Sequence, residues 1–366
     1  MKKILIANRG EIAIRIARTC NDLGIKTVGI YSEDDSSSLH LSKMDESFIV
    51  DEQGANAYLN IKKIISIAKL SKVDAIHPGY GFLSENPSFA SAAKRAKIKF
   101  IGPSERVLKI FGEKTEAKGL AEKLSIPVIE GSKGKVTLRQ ATAFMKELKK
   151  NSSLVIKAVA GGGGRGMRVV NSAGDLKEAM DRASSEAEAA FNSPELYVEE
   201  YLKNYRHVEV QVLGDGKGQA THFHERECSV QRRYQKIIEI APCTGINKEL
   251  KEKMIEASLS LIKSTKYEGL ATVEFLVDFT KEDYRFIECN ARLQVEHTVT
   301  EAILGLDLVK AQIQIASGKS LKQLKLEQKD IEQPQGYAIQ SRVNMEVIDS
   351  EGNITVTYTK LTLPTK

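Results

Sequence analysis

The run from Glu288 to Glu296 sets Glu288, Asn290, Arg292, Gln294 and Glu296 two residues apart, with Ile287, Cys289 and Ala291 at the alternate positions. Successive side chains of an extended chain point to opposite faces, so five polar groups would project to one side and the apolar ones to the other. A second strand-like run, Thr272 to Asp278, puts Glu274 on the face of Thr272 and Leu276 while Val273, Phe275 and Val277 take the opposite one. The two runs read as a hairpin turning over Phe279 to Asp283. Glu274 and Glu288 on adjacent strands would repel each other unless a cation lies between them. Hard oxygen donors with Asn290 beside them suit Mg²⁺ bound together with nucleotide phosphates. A salt-bridged, exposed sheet face with Arg292 as one partner would show the same pattern.

A glycine run, Gly161, Gly162, Gly163, Gly164 and then Arg165-Gly166, follows an apolar stretch that contains Lys157. Consecutive glycines let backbone N–H groups approach phosphate oxygens with no Cβ in the way, as a mobile phosphate cover requires. No Gly-Lys-Ser/Thr closes the run as in a P-loop, and no helix opens on it at the dinucleotide-binding spacing. A plain surface turn also fits it. His222 and His224 alternate like a metal pair but lack a third ligand. The segment Gln231 to Lys236 is dense in hydrogen-bond donors and could hold an anion or form a charged loop.

These residues need elements to position them. The first hundred residues alternate short apolar runs with helical patterns: Ile4 to Ala7, a helix near 11–23, Thr27 to Tyr31, Ser47 to Val50, a helix near 60–70, Ala75 to His77, a helix near 87–96, and Lys99 to Ile101. This rhythm predicts a doubly wound parallel sheet, the α/β class. A helix from Glu113 to Leu124 leads into a small second lobe around the glycines, with strands at 153–159, 167–170 and 196–200 and a helix over 173–191. Strand-rich, α+β sequence then takes over, including His207 to Leu213 and Thr221 to Glu227. Three domains are expected: 1–113, 114–201 and 202–366.

At 366 residues, 42% hydrophobic and 28% charged, the chain can bury a large core. The N-terminal apolar run is too short for a signal sequence or a membrane span, which predicts a cytoplasmic or organelle-matrix protein. Cys20, Cys228, Cys243 and Cys289 are widely separated and read as ordinary thiols. The net charge of +6 comes from basic residues interleaved with acids and without aromatic clusters, so nucleic acid is not an expected partner.

Taken together the segments resemble the biotin carboxylases of the ATP-grasp superfamily, up to about Asn344. The motifs are Ala7-Asn8-Arg9-Gly10-Glu11-Ile12-Ala13, the run His77-Pro78-Gly79-Tyr80-Gly81-Phe82-Leu83-Ser84-Glu85-Asn86, the glycine run, Glu225 to Arg233, and Gln294-Val295-Glu296-His297. The resemblance implies an ATP-dependent carbon–nitrogen ligase with a glycine-loop lid. It also implies a nucleotide site lined by Lys114, Lys157, Glu199, Leu202, His207, Gln231 and Tyr234, and Mg²⁺ or Mn²⁺ on Glu274, Glu288 and Asn290. Glu296 is implied as the base for bicarbonate, which is held by Lys236, Arg292, Gln294 and the backbone of Val295. Arg342 would stabilise a biotin enolate, with Tyr80 and Arg15 nearby.

No Ala-Met-Lys-Met sequence occurs, so the resemblance implies biotin on a carrier protein or domain, a carboxyltransferase partner, and pairing into a homodimer. Tyr234 stands where the family commonly has histidine, and Ala160 where many members have glycine. Members continue for several dozen residues beyond the Arg342 segment, so the last lobe is expected to be incomplete and of marginal stability. Two other readings share these features: a different ATP-grasp ligase, such as a carbamoyl-phosphate synthetase half or a purine-biosynthetic carboxylase, and a non-catalytic nucleotide-binding module.

Overall fold

The computed structural model describes residues 1–132, 134–148, 152–159, 167–232, 234–348 and 354–361. The N-terminal part alternates β1 (Lys3–Ile6), α1 (Gly10–Asp22), β2 (Lys26–Ser32), β3 (Glu46–Val50), α2 (Ala55–Leu59), α3 (Ile61–Leu70), β4 (Ala75–His77), α4 (Pro87–Arg95) and β5 (Lys99–Phe100). Its five strands are parallel in the order β3-β2-β1-β4-β5. Ile4, Leu5 and Ile6 are fully buried, as a strand covered on both faces requires. On α1 the residues Ile12, Ala13, Ile16, Ala17 and Cys20 form the buried stripe that packs it down.

Strand order reverses between β1 and β4, and in such sheets ligands gather at the carboxyl ends beside that reversal. Asn8 follows β1 there, and its Nδ2 donates to the carbonyls of Pro78 and Tyr80, both at 2.8 Å, in the loop after β4. Gly79 has φ +64°, and a Cβ on it would lie 2.9 Å from Asn8 Nδ2, so this close approach needs glycine. Asn86 ends the loop by capping α4, its side chain accepting the Phe89 N–H.

Two helices follow, α5 (Glu105–Gly112) and α6 (Lys114–Lys123). The sequence reading anticipated only the second; Ser104 caps α5 through the Val107 N–H. The next sheet is antiparallel, order β7-β6-β8, and is built with α7 (Leu138–Glu147), β6 (Ser153–Ala158), β7 (Arg168–Val170), α8 (Leu176–Phe191) and β8 (Leu196–Tyr201). Leu154, Ile156 and Val198 pack there on Ala141, Leu176 and Ala183. The expected glycine cover, Gly161 to Gly164, lies outside the described residues.

The remaining chain supplies β9 (Arg206–Asp215), β10 (Ala220–Arg232), β11 (Gln235–Ala241), α9 (Lys248–Thr265), β12 (Glu268–Asp278), β13 (Asp283–Asn290), α10 (His297–Leu304), α11 (Leu308–Ala316), α12 (Leu321–Leu324), β14 (Ala338–Ile348) and β15 (Ile354–Leu361). Its seven-stranded antiparallel sheet runs β13-β12-β9-β10-β11-β14-β15. The β12–β13 hairpin forms as expected, with Asp278 opposite Asp283.

Three expectations need correction. The β13 strand does not alternate evenly: Glu274 faces Glu288 but Phe275 faces Phe286, so a bulge at Ile287 turns Phe286 into the core and Glu288 onto the polar face. The extended chain also stops at Asn290; residues 291–296 turn, and Glu296 occupies the N-cap position of α10. Arg15 is not free for a ligand. Its Nη2 donates to Glu301 Oε1 and Asp307 Oδ1, both at 2.8 Å, fastening α1 to the residues around α10 and α11. Replacing Arg15 by Ala takes the guanidinium from both carboxylates, which keep only neutral donors such as the Leu308 and Lys310 N–H groups. The expected loss is about 2 kcal/mol, discounted from the fully buried case for partial exposure, and is read as a lower urea midpoint.

Candidate active site

The register of the large sheet draws acidic residues into one stripe. Glu274 on β12 lies opposite Glu209 on β9 and opposite Glu288 on β13. Glu209, Glu274 and Glu296 are almost completely buried, an arrangement that needs compensating positive charge. Lys236 on β11 supplies it: Nζ donates to Glu209 Oε2 at 2.6 Å, Glu274 Oε1 at 2.9 Å and Glu296 Oε1 at 2.7 Å. Arg226, fully buried on β10, adds a second cation through Glu209 Oε1 at 2.6 Å, Gln211 Oε1 at 2.7 Å and Thr300 Oγ1 at 2.9 Å.

Burial alone would push these carboxyls upward. Lys236, acting with the other cations and hydrogen-bond donors around these carboxyls, more than offsets that for Glu296, Glu209 and Glu274, which stay below their ordinary range and ionised. Lys236 rises well above its ordinary value, because the three carboxylates outweigh its own burial. Nearby Cys228 is raised by burial and by Glu209, which makes it an inert thiol.

Around this centre the partners interlock. His207 Nε2 lies 2.5 Å from Glu274 Oε2, and its Nδ1 lies 2.8 Å from Gln231 Nε2. Asn290 Nδ2 donates to Glu274 Oε1 at 2.6 Å and lies 3.5 Å from Glu288 Oε1. Gln294 Nε2 donates to the same Glu274 oxygen at 3.1 Å. Arg342 on β14 donates to Glu239 Oε1 through Nε at 2.6 Å and to Glu296 Oε2 through Nη2 at 3.1 Å. The polar residues after Asn290 thus reach the centre even though they do so from a turn. Val295 lies half-buried within that turn.

Toward the three-stranded sheet, Lys157 Nζ pairs with Glu199 Oε2 at 2.6 Å, and Lys118 lies 3.5 Å from Glu199 Oε1. Lys114, one helical turn before Lys118 on α6, faces the Tyr197 ring at 6.0 Å, and burial lowers its pKa against the opposing pull of Glu288. Leu202 directly follows β8, and Tyr234 stands half-exposed at the tip of the β10–β11 hairpin with φ +64°. The Tyr80 hydroxyl contacts Glu11 in the N-terminal part.

Sequence reasoning missed Glu209, Arg226, Glu239 and Lys118. A signal existed for Glu209: His207, Glu209 and Gln211 alternate with Val208, Val210 and Val212, the same period-two pattern that exposed the β13 run. Lys118 follows Lys114 at helical spacing. Glu239 and Arg226 are visible only once β10, β11 and β14 are paired.

Comparison with known proteins adds to this geometry. Residues 1–108 match the family model for the biotin carboxylase N-terminal domain, and residues 113–324 match that for the carbamoyl-phosphate synthase L chain ATP-binding domain. Biotin carboxylase 1 of Bacillus subtilis is 43% identical over 94% of this chain and 76% of its own length. The chain belongs to the biotin carboxylase family. Pyruvate carboxylase of B. subtilis is 51% identical over 94% of this chain, which spans 30% of that longer protein.

Among solved structures of the family, a biotin carboxylase complex from Campylobacter jejuni superposes with a TM-score of 0.90 at 42% identity, covering 95% of this chain and 77% of that one. The biotin carboxylase domain dimer of Hydrogenobacter thermophilus 2-oxoglutarate carboxylase, solved with MgADP, ADP and bicarbonate, also gives 0.90, at 37% identity over 98% and 84% of the two chains. The α/β sheet followed by an ATP-grasp fold is therefore the biotin carboxylase architecture.

Glu239 provides a pH signature. Burial pushes it up to about 7 despite Arg342, with Glu296 adding to the rise. Between its ordinary value of 4.5 and about 7 the folded chain keeps a proton that the unfolded chain has released, so this group's contribution to stability falls as pH rises. The stability of the wild type relative to Glu239→Gln is expected to drop by up to about 3 kcal/mol between pH 5 and pH 8, measured by urea unfolding at both pH values.

Proposed function

We propose that this chain carboxylates biotin at the expense of ATP, using bicarbonate as the carbon source and releasing ADP and phosphate. The observation that carries the reading is the position of Glu296, buried and gripped by Lys236 on one carboxylate oxygen and by Arg342 on the other. Family membership and the bicarbonate and MgADP in the Hydrogenobacter structure support it.

The residues act as follows. Lys236, Arg292, Gln294 and the Val295 backbone form a donor set for the bicarbonate anion. When that anion takes donors from Lys236, Glu296 loses the partner that depresses its pKa most; burial then makes it a stronger base at the moment a proton must leave bicarbonate. The Arg342 guanidinium presents a fixed fork of donors to the negative oxygen that develops on biotin. Lys114, Lys157 and Glu199, with the Gly161 to Gly164 segment, Leu202, His207, Gln231 and Tyr234, bind ATP. Tyr80, at the switch point of the parallel sheet, borders the biotin.

The donor set also fits a divalent cation. Glu274 and Glu288 face each other across a strand pair, and an amide proton donor, Asn290 Nδ2, now sits between their oxygens. Glu274, Glu288 and Asn290 would hold Mg²⁺ or Mn²⁺, which offsets phosphate charge when nucleotide is bound. Biotin would arrive on a carrier protein or domain and leave toward a carboxyltransferase that selects the final acceptor. Pairing into a dimer would follow the Hydrogenobacter domain. Among the described residues no helix is long and apolar enough to cross a membrane. Four buried free thiols suit a cytoplasmic or matrix setting.

The test is phosphate release from MgATP with bicarbonate, with and without free biotin. Biotin should stimulate it, and Glu296→Gln should lower kcat about 100-fold while nucleotide binding persists. Stimulation by an amine in place of biotin would contradict the assignment.

A further inference from the structure

Arg292 is held from four sides. Its Nε donates to Glu85 Oε2 at 2.8 Å, Nη1 to Gln294 Oε1 at 2.8 Å and the Leu293 carbonyl at 3.2 Å, and Nη2 to Asn290 Oδ1 at 3.1 Å. A guanidinium has five N–H donors, so four are committed and one, on Nη2, remains for an anion. Gln294 and Leu293 belong to the same turn as Arg292, and Asn290 ends the strand that leads into it. Glu85 alone reaches in from elsewhere, the loop between β4 and α4, 207 residues away in sequence.

Glu85 also fixes the main chain, since its Oε1 accepts the Ala291 N–H at 3.1 Å. One carboxylate therefore sets both the backbone entering the turn and the plane of the guanidinium. Its own position is secured from the N-terminal side. Ser84 N donates to the Gly81 carbonyl at 2.9 Å and Asn86 N to that of Leu83 at 3.1 Å; Leu83 and Ser84 are buried, Asn86 caps α4, and Asn8 pins the start of the loop.

We propose that Glu85 is a positioning residue for the bicarbonate step: it presets Arg292, so that the donor set is completed only when the loop after β4 rests on the turn after β13. This rests on the biotin carboxylase reading above. Two effects of Glu85 oppose each other. Its negative charge weakens the pull of Arg292 on an anion, whereas its two hydrogen bonds remove the cost of orienting the guanidinium. Both side chains are partly exposed, 38% for Glu85 and 19% for Arg292, so solvent screens the charge effect while the geometric effect persists. Positioning should dominate, and the sign of a substitution reports which does.

The experiment uses the whole 366-residue chain. Binding of ¹³C-labelled bicarbonate in the presence of MgADP is measured by NMR, alongside the KM for bicarbonate and for MgATP in the phosphate-release assay. Glu85→Gln and Glu85→Ala should each weaken bicarbonate binding and raise its KM roughly tenfold, the low end for loss of an outer supporting group. The KM for MgATP and the thermal midpoint should stay unchanged. In an Arg292→Ala background, Glu85→Gln should add no further effect. Unchanged or tighter bicarbonate binding in both single variants, with an active wild type, overturns this inference alone. A wild type that neither binds bicarbonate nor releases phosphate in response to it overturns the functional reading and this inference together.

Discussion

Lys236 stands among three carboxylates that could not otherwise share a buried sheet face. Glu209 and Glu274 are cross-strand neighbours, and Glu296 reaches the same ammonium from the N-cap position of α10. Remove the ammonium and like charges face each other in a low-dielectric setting, which would force protonation or pull the strands apart. The arrangement is an electrostatic knot across β9, β11, β12 and the first turn of α10. Burial and cation contact act in opposite directions on Glu296, so its affinity for a proton depends on the ammonium keeping its contact.

The same logic recurs at lower cost around the site. Arg342 is steadied by Glu239, Arg226 by Glu209 and Gln211, and Lys157 by Glu199. These cations already have a carboxylate or amide of their own. Preorganisation of this kind leaves little reorganisation for the moment of reaction, which is where electrostatic catalysis draws most of its effect.

How much of this was legible in the sequence depends on the range of the interaction. The βαβ rhythm of residues 4–101 gave the parallel sheet because helix and strand periods are local. The β12–β13 hairpin was legible because Glu274 and Glu288 sit at matching alternations about a short turn. What escaped is what depends on pairing between distant strands. Glu239 and Arg342 lie 103 residues apart, and nothing near either one announces the other. The break at Asn290 escaped because period two continues through Arg292 and Gln294 even though the backbone has left the strand. The bulge escaped for a related reason: one unpaired residue leaves no mark on a pattern read along a single chain.

That bulge separates two functions that a regular strand would confuse. Phe286 and Glu288 are two residues apart and on an even strand would look the same way. Because Ile287 is left out of the ladder, Phe286 packs edge-on to Phe275, with ring centres 6.2 Å apart, while Glu288 meets Glu274. The register of β13 is thus keyed by a mismatch of greasy and charged partners on either side of a single residue. Sliding the strand by one position would set a carboxylate against aromatic rings, so the chain carries its own error check against misthreading at the spot where its chemistry is densest.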